Sequence, residues 1–529
     1  MYADKCFING KIYSMAKEGD FFEAMAVLNG KIVKVGSNEE IKSYDASEVF
    51  DLNGSIVLPG ITDSHQHVLS YCEGLTSVNL SEVKSIDEMK KLLKEKAEQT
   101  APGEWVKGVR FDHEKFPDKR FPTRFDLDEV STEHPILAGR YCMHGYVANT
   151  KALKMAGIGK DFIPDAENTV EVDENGEPTG ILWENAVSPI LDILPDALAT
   201  YESKKEAIKE VVADMSSCGI TSIVPIQGKF CDAVEYIGIY QDLEKENALP
   251  VRAYIGFDEI PPFGMKTGFG NDKIKYGFYK IYSDGSMGSR AAAFFDSYSD
   301  APGVKGVLNY TQEEMNNMVQ TAYDSGLQIA IHAIGDKGLD VAVTAIEKAY
   351  YNNPNKDARV RLIHLLLVNH DLIERMKKLP IIIDIQPKFI ARNLHWTEDR
   401  VGRERLKYAF SWKTLLNNGF MLTAGSDIPV DSYDPMLGIY AIVNRQDFDG
   451  YPEGGWLPEE KVTVYEALEM YTKNGAYASF EEDIKGTLEE GKYADFILLD
   501  RDPFEIDPRE LKDIVVKETW LSGDRVFKR

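Results

Sequence analysis

Two imidazoles one residue apart, His65 and His67, stand in the stretch LPGITDSHQH. In a strand, residues i and i+2 face the same side, so both rings can reach one metal ion. By itself a His-x-His pair recurs by chance and carries little. It gains weight from four ionisable residues far along the chain. These are Lys280 in YGFYKIYSDGS, His332 in LQIAIHAIGD, His364 in RVRLIHLLLV and Asp427 in MLTAGSDIPV. Each ends or interrupts an apolar run that reads as a buried strand. Taken singly, a strand-end histidine is more often a hydrogen-bonded core residue. A lone lysine snorkels to water, and an aspartate after Gly-Ser caps a turn. Taken together, so many ionisable groups in one barrel mouth are costly to bury unless a cation joins them. Imidazole and carboxylate donors suit Zn²⁺, with Mn²⁺ or Fe²⁺ as alternatives.

The elements that must position these residues follow a strand–helix rhythm. After the opening strand from Ile61, strands are predicted at Thr221–Pro225, Val251–Phe257, Phe278–Tyr282, Leu327–His332, Val360–His364, Ile381–Ile385 and Phe420–Ala424. Helices are predicted between them, including Glu202–Cys218, one over roughly 230–247, Glu313–Ser325 and Gly338–Tyr350. Eight apolar strands alternating with helices predict an α/β chain closed as a (β/α)8 TIM barrel, whose active site lies at the C-terminal strand ends. An open doubly wound sheet is the alternative, but no Gly-rich phosphate loop follows a strand. Residues from about 68 to 200 break the rhythm and read as an inserted α+β subdomain after strand one. The N-terminal residues carry Asn9-Gly10 and Asn29-Gly30 between apolar runs, which predicts two hairpins. The tail GTLEEGKYADFILLD returns to strand character. The division expected is therefore 1–58 with 480–529 as one small sheet module, and 59–479 as the barrel.

The motifs resemble the amidohydrolase superfamily, most closely its amidohydrolase-3 branch, which holds N-substituted formamide deformylase-like proteins. The resemblance runs through LPGITDSHQH, KIYSDGSMGSR, IHAIGD, LIHLLLV and AGSDIPV, and through RYCMHGYVANTKAL and GTLEEGKYADFILLD. It implies a barrel beside a β-sandwich and a centre of one or two metal ions, Zn first. It implies that His65 and His67 bind the more buried ion and that His332 and His364 bind the other. Lys280 would be carboxylated and bridge them. Asp427 would be both ligand and the catalytic proton carrier, general base and then general acid. The implied reaction is hydrolysis of a non-peptide C–N bond in an N-substituted amide, formamide or N-acyl compound by metal-activated hydroxide. Deamination or ring opening of a heterocycle is the alternative, and a non-catalytic scaffold on the same barrel is the remote one. One departure is visible: LIHLLLV replaces the RIEH-type context usual in the branch, with Leu362-Ile363 before His364.

Four further residues are candidate substrate contacts: His144, Arg290, Gln386 at the end of strand seven, and Trp183 in GILWENA. The stretch Lys388–Lys407, with His395, interrupts the rhythm and reads as a lid. The chain has 529 residues and a formal net charge of −26, from 60 basic and 86 acidic residues. That balance argues against nucleic acid and anionic membrane as partners and leaves a small-molecule substrate. The five cysteines are scattered without a CxxC pair. With no signal peptide or apolar span, they predict a cytoplasmic protein with free thiols. A homodimer is admitted.

Overall fold

The computed structural model describes residues 1–163, 169–196, 198–227, 231–261 and 264–529. Its centre is one eight-stranded sheet. The strands are β1 (Ile61–Gln66), β2 (Ile220–Pro225), β3 (Arg252–Phe257) and β4 (Ile274–Tyr282). They continue as β5 (Gln328–Ala333), β6 (Val360–His364), β7 (Ile381–Ile385) and β8 (Met421–Ala424). Each pairs in parallel with the next in chain order. Six of the eight are buried along their whole length. That two-sided burial is why most of them read as largely apolar runs rather than as alternation, with β1 (ITDSHQ) the polar exception.

The seam between β8 and β1 closes just beyond the strands. The Asp427 N–H donates to the His65 carbonyl and the His67 N–H to the Ile428 carbonyl, both at 2.8 Å. The Ser426 N–H donates to the Asp63 carboxylate, also at 2.8 Å. The bonds that close the barrel therefore also bring Asp427 beside the two N-terminal imidazoles. Below them, buried Arg361 on β6 pairs with Asp384 on β7, and Asp384 accepts the Ser64 hydroxyl at 2.7 Å. This ties β1, β6 and β7 under the site.

The outer helices begin where polar residues satisfy their free N–H groups. Helix Gln312–Asp324 has a capping box of Thr311 and Glu314, and Val464–Tyr471 one of Thr463 and Glu466. The helix expected from 230 runs Ala233–Lys245, and residue 230 lies outside the described residues.

The long segment after β1 forms its own six-stranded sheet. Its order is Val170–Val172, Pro178–Trp183, Gly145–Ala148, Ile136–Arg140, Val106–Phe111, Val78–Asn79. Two apolar clusters pack on it, one around Leu93 and Ile136 and one around Leu137 and Leu182.

Both termini build two further sheets. One holds Lys31–Gly36, Ala24–Leu28, Tyr2–Ile8 and Asp45–Asp51. The other runs from Asp524–Lys528 through Val516–Leu521, Phe496–Leu499, Ile56–Pro59 and Lys11–Tyr13 to Phe21–Phe22. Phe7 of the first meets Phe496 and Trp520 of the second edge-on, each at 5.0 Å. Asn29-Gly30 makes the expected hairpin, both residues at positive φ. Asn9-Gly10 does not. Tyr2–Ile8 and Lys11–Tyr13 lie in different sheets, so this turn carries the chain across. The Asn9 N–H is taken by the Asn38 side chain at 2.7 Å, and Gly10 sits against Leu52. Tertiary packing there overrides the local turn signal.

Candidate metal centre

β1 ends at Gln66, so His67 does not lie on the strand, as the alternation argument required. It precedes helix Val68–Leu75, with φ −112° and ψ 69°. The two rings nevertheless converge. His65 Nε2 and His67 Nε2 each lie 3.3 Å from the same Asp427 oxygen. The donor atoms of the three residues all fall within 4.8 Å of one another. Bonds of about 2.1 Å to a single ion give ligand–ligand edges of roughly 3.0–3.4 Å, so these contacts are the spacing a coordination shell needs.

The other three predicted ligands surround this triad. Lys280 Nζ is 3.5 Å from His65 Nε2. The His364 ring lies 5.6 Å from that of His65 and 4.5 Å from that of His332. His364 Nδ1 contacts Gln386 Oε1 at 2.5 Å, which leaves Nε2 as its free donor. His332 Nε2 is buried with no hydrogen-bond partner, the Asp284 carboxylate standing off at 3.6 Å. An orphaned buried imidazole nitrogen is expensive unless something such as a cation occupies it. The donor set therefore fits a divalent ion.

The electrostatics agree. Burial, reinforced by neighbouring positive charge, holds His65 and His332 well below the ordinary histidine range. Burial brings His364 to about 4. All three are neutral near pH 7, the form that ligates. Burial lowers Lys280 to about 7, against the pull of Asp427 and Asp384. Burial works to raise Asp427, but the contacts of His65 and His67 prevail and hold it well below its usual value.

A cavity of about 530 Å³ opens over these groups and is lined by all six. That is the size of a small-molecule site. His144 lines it too, just before strand Gly145–Ala148 of the six-stranded sheet, its ring 5.9 Å from that of His332. Its Nδ1 meets Glu184 at 2.7 Å. Burial works against its charge, yet the Glu184 carboxylate raises it to about 9.

The other three expected substrate contacts are placed elsewhere. Gln386 is fully buried and holds His364 rather than facing the cavity. Arg290 turns outward to Asp300, at 2.9 Å. Trp183 packs on Phe121 at 4.9 Å and over Gly145. The stretch read as a lid forms short helices, Phe389–Asn393 and Thr397–Val401. Phe389, Arg392 and Trp396 from it line the cavity, and His395 points away to Asp447 at 3.0 Å.

Sequence reading missed Glu184, Arg140, Arg392 and Asp284. Asp284 follows β4 and accepts N–H bonds from Ala293, Ile334 and Gly335 at 2.8–3.0 Å. It thereby fixes the loop after β4 to the end of β5. Its place in KIYSDGSMGSR, four residues after Lys280, was the available signal.

Comparison with known proteins agrees with this geometry. The family model described as "Amidohydrolase family" matches residues 48–527. The putative amidohydrolase YtcJ of Bacillus subtilis (strain 168) is 33% identical, over 98% of each chain. An N-substituted formamide deformylase of Arthrobacter pascens is 27% identical over 99% of this chain and 98% of its own. Among solved structures, an uncharacterized metal-dependent hydrolase from Pyrococcus horikoshii OT3 superposes with a TM-score of 0.75. It is 28% identical and covers 95% of this chain and 99% of its own. The cage of imidazoles and carboxylate at the barrel mouth is thus that of a chain belonging to the amidohydrolase family.

Proposed function

We propose that the protein hydrolyses a non-peptide C–N bond in an N-substituted amide, formamide or N-acyl compound. The observation that supports this best is the shared approach of His65 and His67 to one Asp427 oxygen beneath an open cavity. His65, His67 and Asp427 would hold one divalent ion, Zn²⁺ by preference, and His332 and His364 a second. Lys280, with its amine brought to about 7, is half neutral at that pH. A neutral amine can take up CO₂, and the carbamate would supply a bridging carboxylate. A divalent ion bound here supplies Lewis acidity, polarising a carbonyl and making water more acidic.

The chain's own groups do the rest. Asp427 is ionised and accepts the proton of the attacking water, then returns it to the leaving nitrogen. Gln386 orients His364, and the inserted subdomain brings His144 against the cavity. The terminal sheets, 1–58 with 480–529, are read as a small β-sandwich beside the barrel at 59–479. No helix among the described residues is long and apolar enough to cross a membrane. The protein is read as cytoplasmic and without nucleic-acid or membrane partners, with a homodimer admitted.

The test is a screen of metal-loaded protein against N-formyl, N-acyl and cyclic amide compounds, reading release of amine. Turnover that requires metal is expected. Ammonia released from heterocyclic amines instead would assign deamination, and no turnover with metal bound would reject the reading.

A further inference from the structure

One turn of chain beside the cavity carries polar atoms that the fold itself does not use. Helix Phe389–Asn393 follows β7, and Asn393 and Trp396 at its end both line the cavity. Their backbones are fixed. The Trp396 N–H donates to the Asn393 carbonyl at 3.1 Å, and that carbonyl also accepts the Thr397 hydroxyl at 2.7 Å. Both residues are buried, 5% and 3% exposed. Yet Asn393 Oδ1 and Trp396 Nε1 have no hydrogen-bond partner among the described residues. An acceptor and a donor buried on one turn and left unbonded are costly to the unliganded protein.

The surroundings hold both side chains in place. Phe389 stacks its ring on that of His364, at 6.0 Å and 11° between planes. Four residues later on the same helix, Asn393 stands about 6 Å further along the axis, at 1.5 Å of rise per residue. The Arg400 guanidinium lies 5.6 Å from the centre of the Trp396 ring. Arg400 is itself paired with Glu114 of the insertion and Asp300 of the loop after β4. Charged groups elsewhere on the wall face one another: His144 meets Glu184 at 2.7 Å, and Arg140 faces Asp112 at 3.6 Å. On the turn from Asn393 to Trp396 the unbonded atoms belong to neutral side chains.

We propose that Asn393 and Trp396 are specificity-determining residues that bind an uncharged group offering both a donor and an acceptor, a carboxamide above all, carried by the substrate next to its scissile amide. This rests on the amide-hydrolase reading for the reaction but not for the binding. The indole N–H would donate to the carbonyl of that group, and the group's own N–H would donate to Asn393 Oδ1. A site built to hydrogen-bond a substrate group rejects the analogue that lacks it, because the site's polar atoms are then left unpaired. Neither side chain offers a charge to offset the desolvation of an ion, so an uncharged group is the fit.

The test uses probes of one shape with metal-loaded protein: N-formyl-β-alaninamide, its apolar isostere N-(3-methylbutyl)formamide, and N-formyl-β-alanine. Binding is read by calorimetry and hydrolysis by amine release, for wild type, Asn393→Leu and Trp396→Phe. Wild type should bind the carboxamide about tenfold or more tightly than the apolar isostere. In each variant that advantage should fall to about threefold or less. Asn393→Leu also removes a buried unbonded oxygen, so its Tm should match or exceed that of wild type. Equal affinity of wild type for carboxamide and isostere, or none for either, would overturn the proposal. So would a preference that survives both variants, and a lowered Tm in Asn393→Leu with the preference intact would make Asn393 a packing residue only. A carboxylate favoured over the carboxamide, with that advantage lost in both variants, would assign the turn to an anion and equally overturn it. Binding preference without hydrolysis of any probe would sink the reaction and leave the subsite standing.

Discussion

Asp427 is where the seam of the barrel, the donor cluster and the proposed proton path meet. Its backbone N–H closes the barrel onto His65, and its side chain receives both N-terminal imidazoles. Asp427→Asn keeps the shape and the backbone bond but removes the proton acceptor. It is expected to fold and to lower kcat by on the order of a thousandfold, the scale of general acid–base catalysis. A kinetic assay showing turnover within a few-fold of wild type would remove Asp427 from that role. The His144–Glu184 pair gives a second expectation. The folded His144 pKa, about 9, lies above its ordinary 6.5. The stability it contributes is therefore fully present below about 6.5 and is lost as pH rises through 9. The difference in Tm between wild type and Glu184→Gln should be largest near pH 6 and shrink above pH 9. A difference independent of pH would show that the pair is not ionic. At this scale the six proposed metal ligands were legible because each lies within a barrel strand or in the turn just beyond one. Arg392 and Glu184 were not, because neither stands at the end of a barrel strand, where this fold places its chemistry.

The strands carry the argument one level up. All eight were readable in the sequence: β1 from its His-x-His motif, the others because burial on both faces leaves largely apolar runs that end where the chemistry begins. The limits of β6 and β7 match expectation residue for residue. β4 starts four residues earlier than expected, at Ile274, where Lys275 and Tyr276 interrupt the apolar pattern but still pair with β3. Asn9-Gly10 misled, because a turn signal says where a chain bends and not which sheet it enters. The seam makes a sharp prediction. A Cβ on Gly425 would stand 2.5 Å from the His65 nitrogen and 3.0 Å from Asp63 Oδ1. Gly425→Ala must push β8 away from β1 and pull Asp427 off the imidazoles. Metal affinity, measured by competition with a chelator, should fall roughly ten- to a hundredfold, as for damaged support of metal ligands. Unchanged affinity would mean that the seam does not set the site.

For the molecule as a whole, the barrel supplies fixed positions and the insertion supplies the far wall of the cavity. His144, Glu184 and Arg140 come from the insertion, whereas the proposed metal ligands come from the barrel strands and the turns just beyond them. That division explains why the proposed metal ligands could be read early and why, apart from His144, the insertion's cavity-lining residues could not. Strand ends have a fixed geometry, whereas an inserted sheet can approach the mouth in many ways. The acidic composition likewise spoke against nucleic acid but gave no hint of which charged residues line the cavity, because composition averages over position. Elemental analysis of protein purified without chelator tests the central claim most directly. One or two equivalents of Zn, Mn or Fe per chain are predicted. A chain that carries only traces of metal, and still does so after incubation with Zn²⁺ and gel filtration, would contradict it.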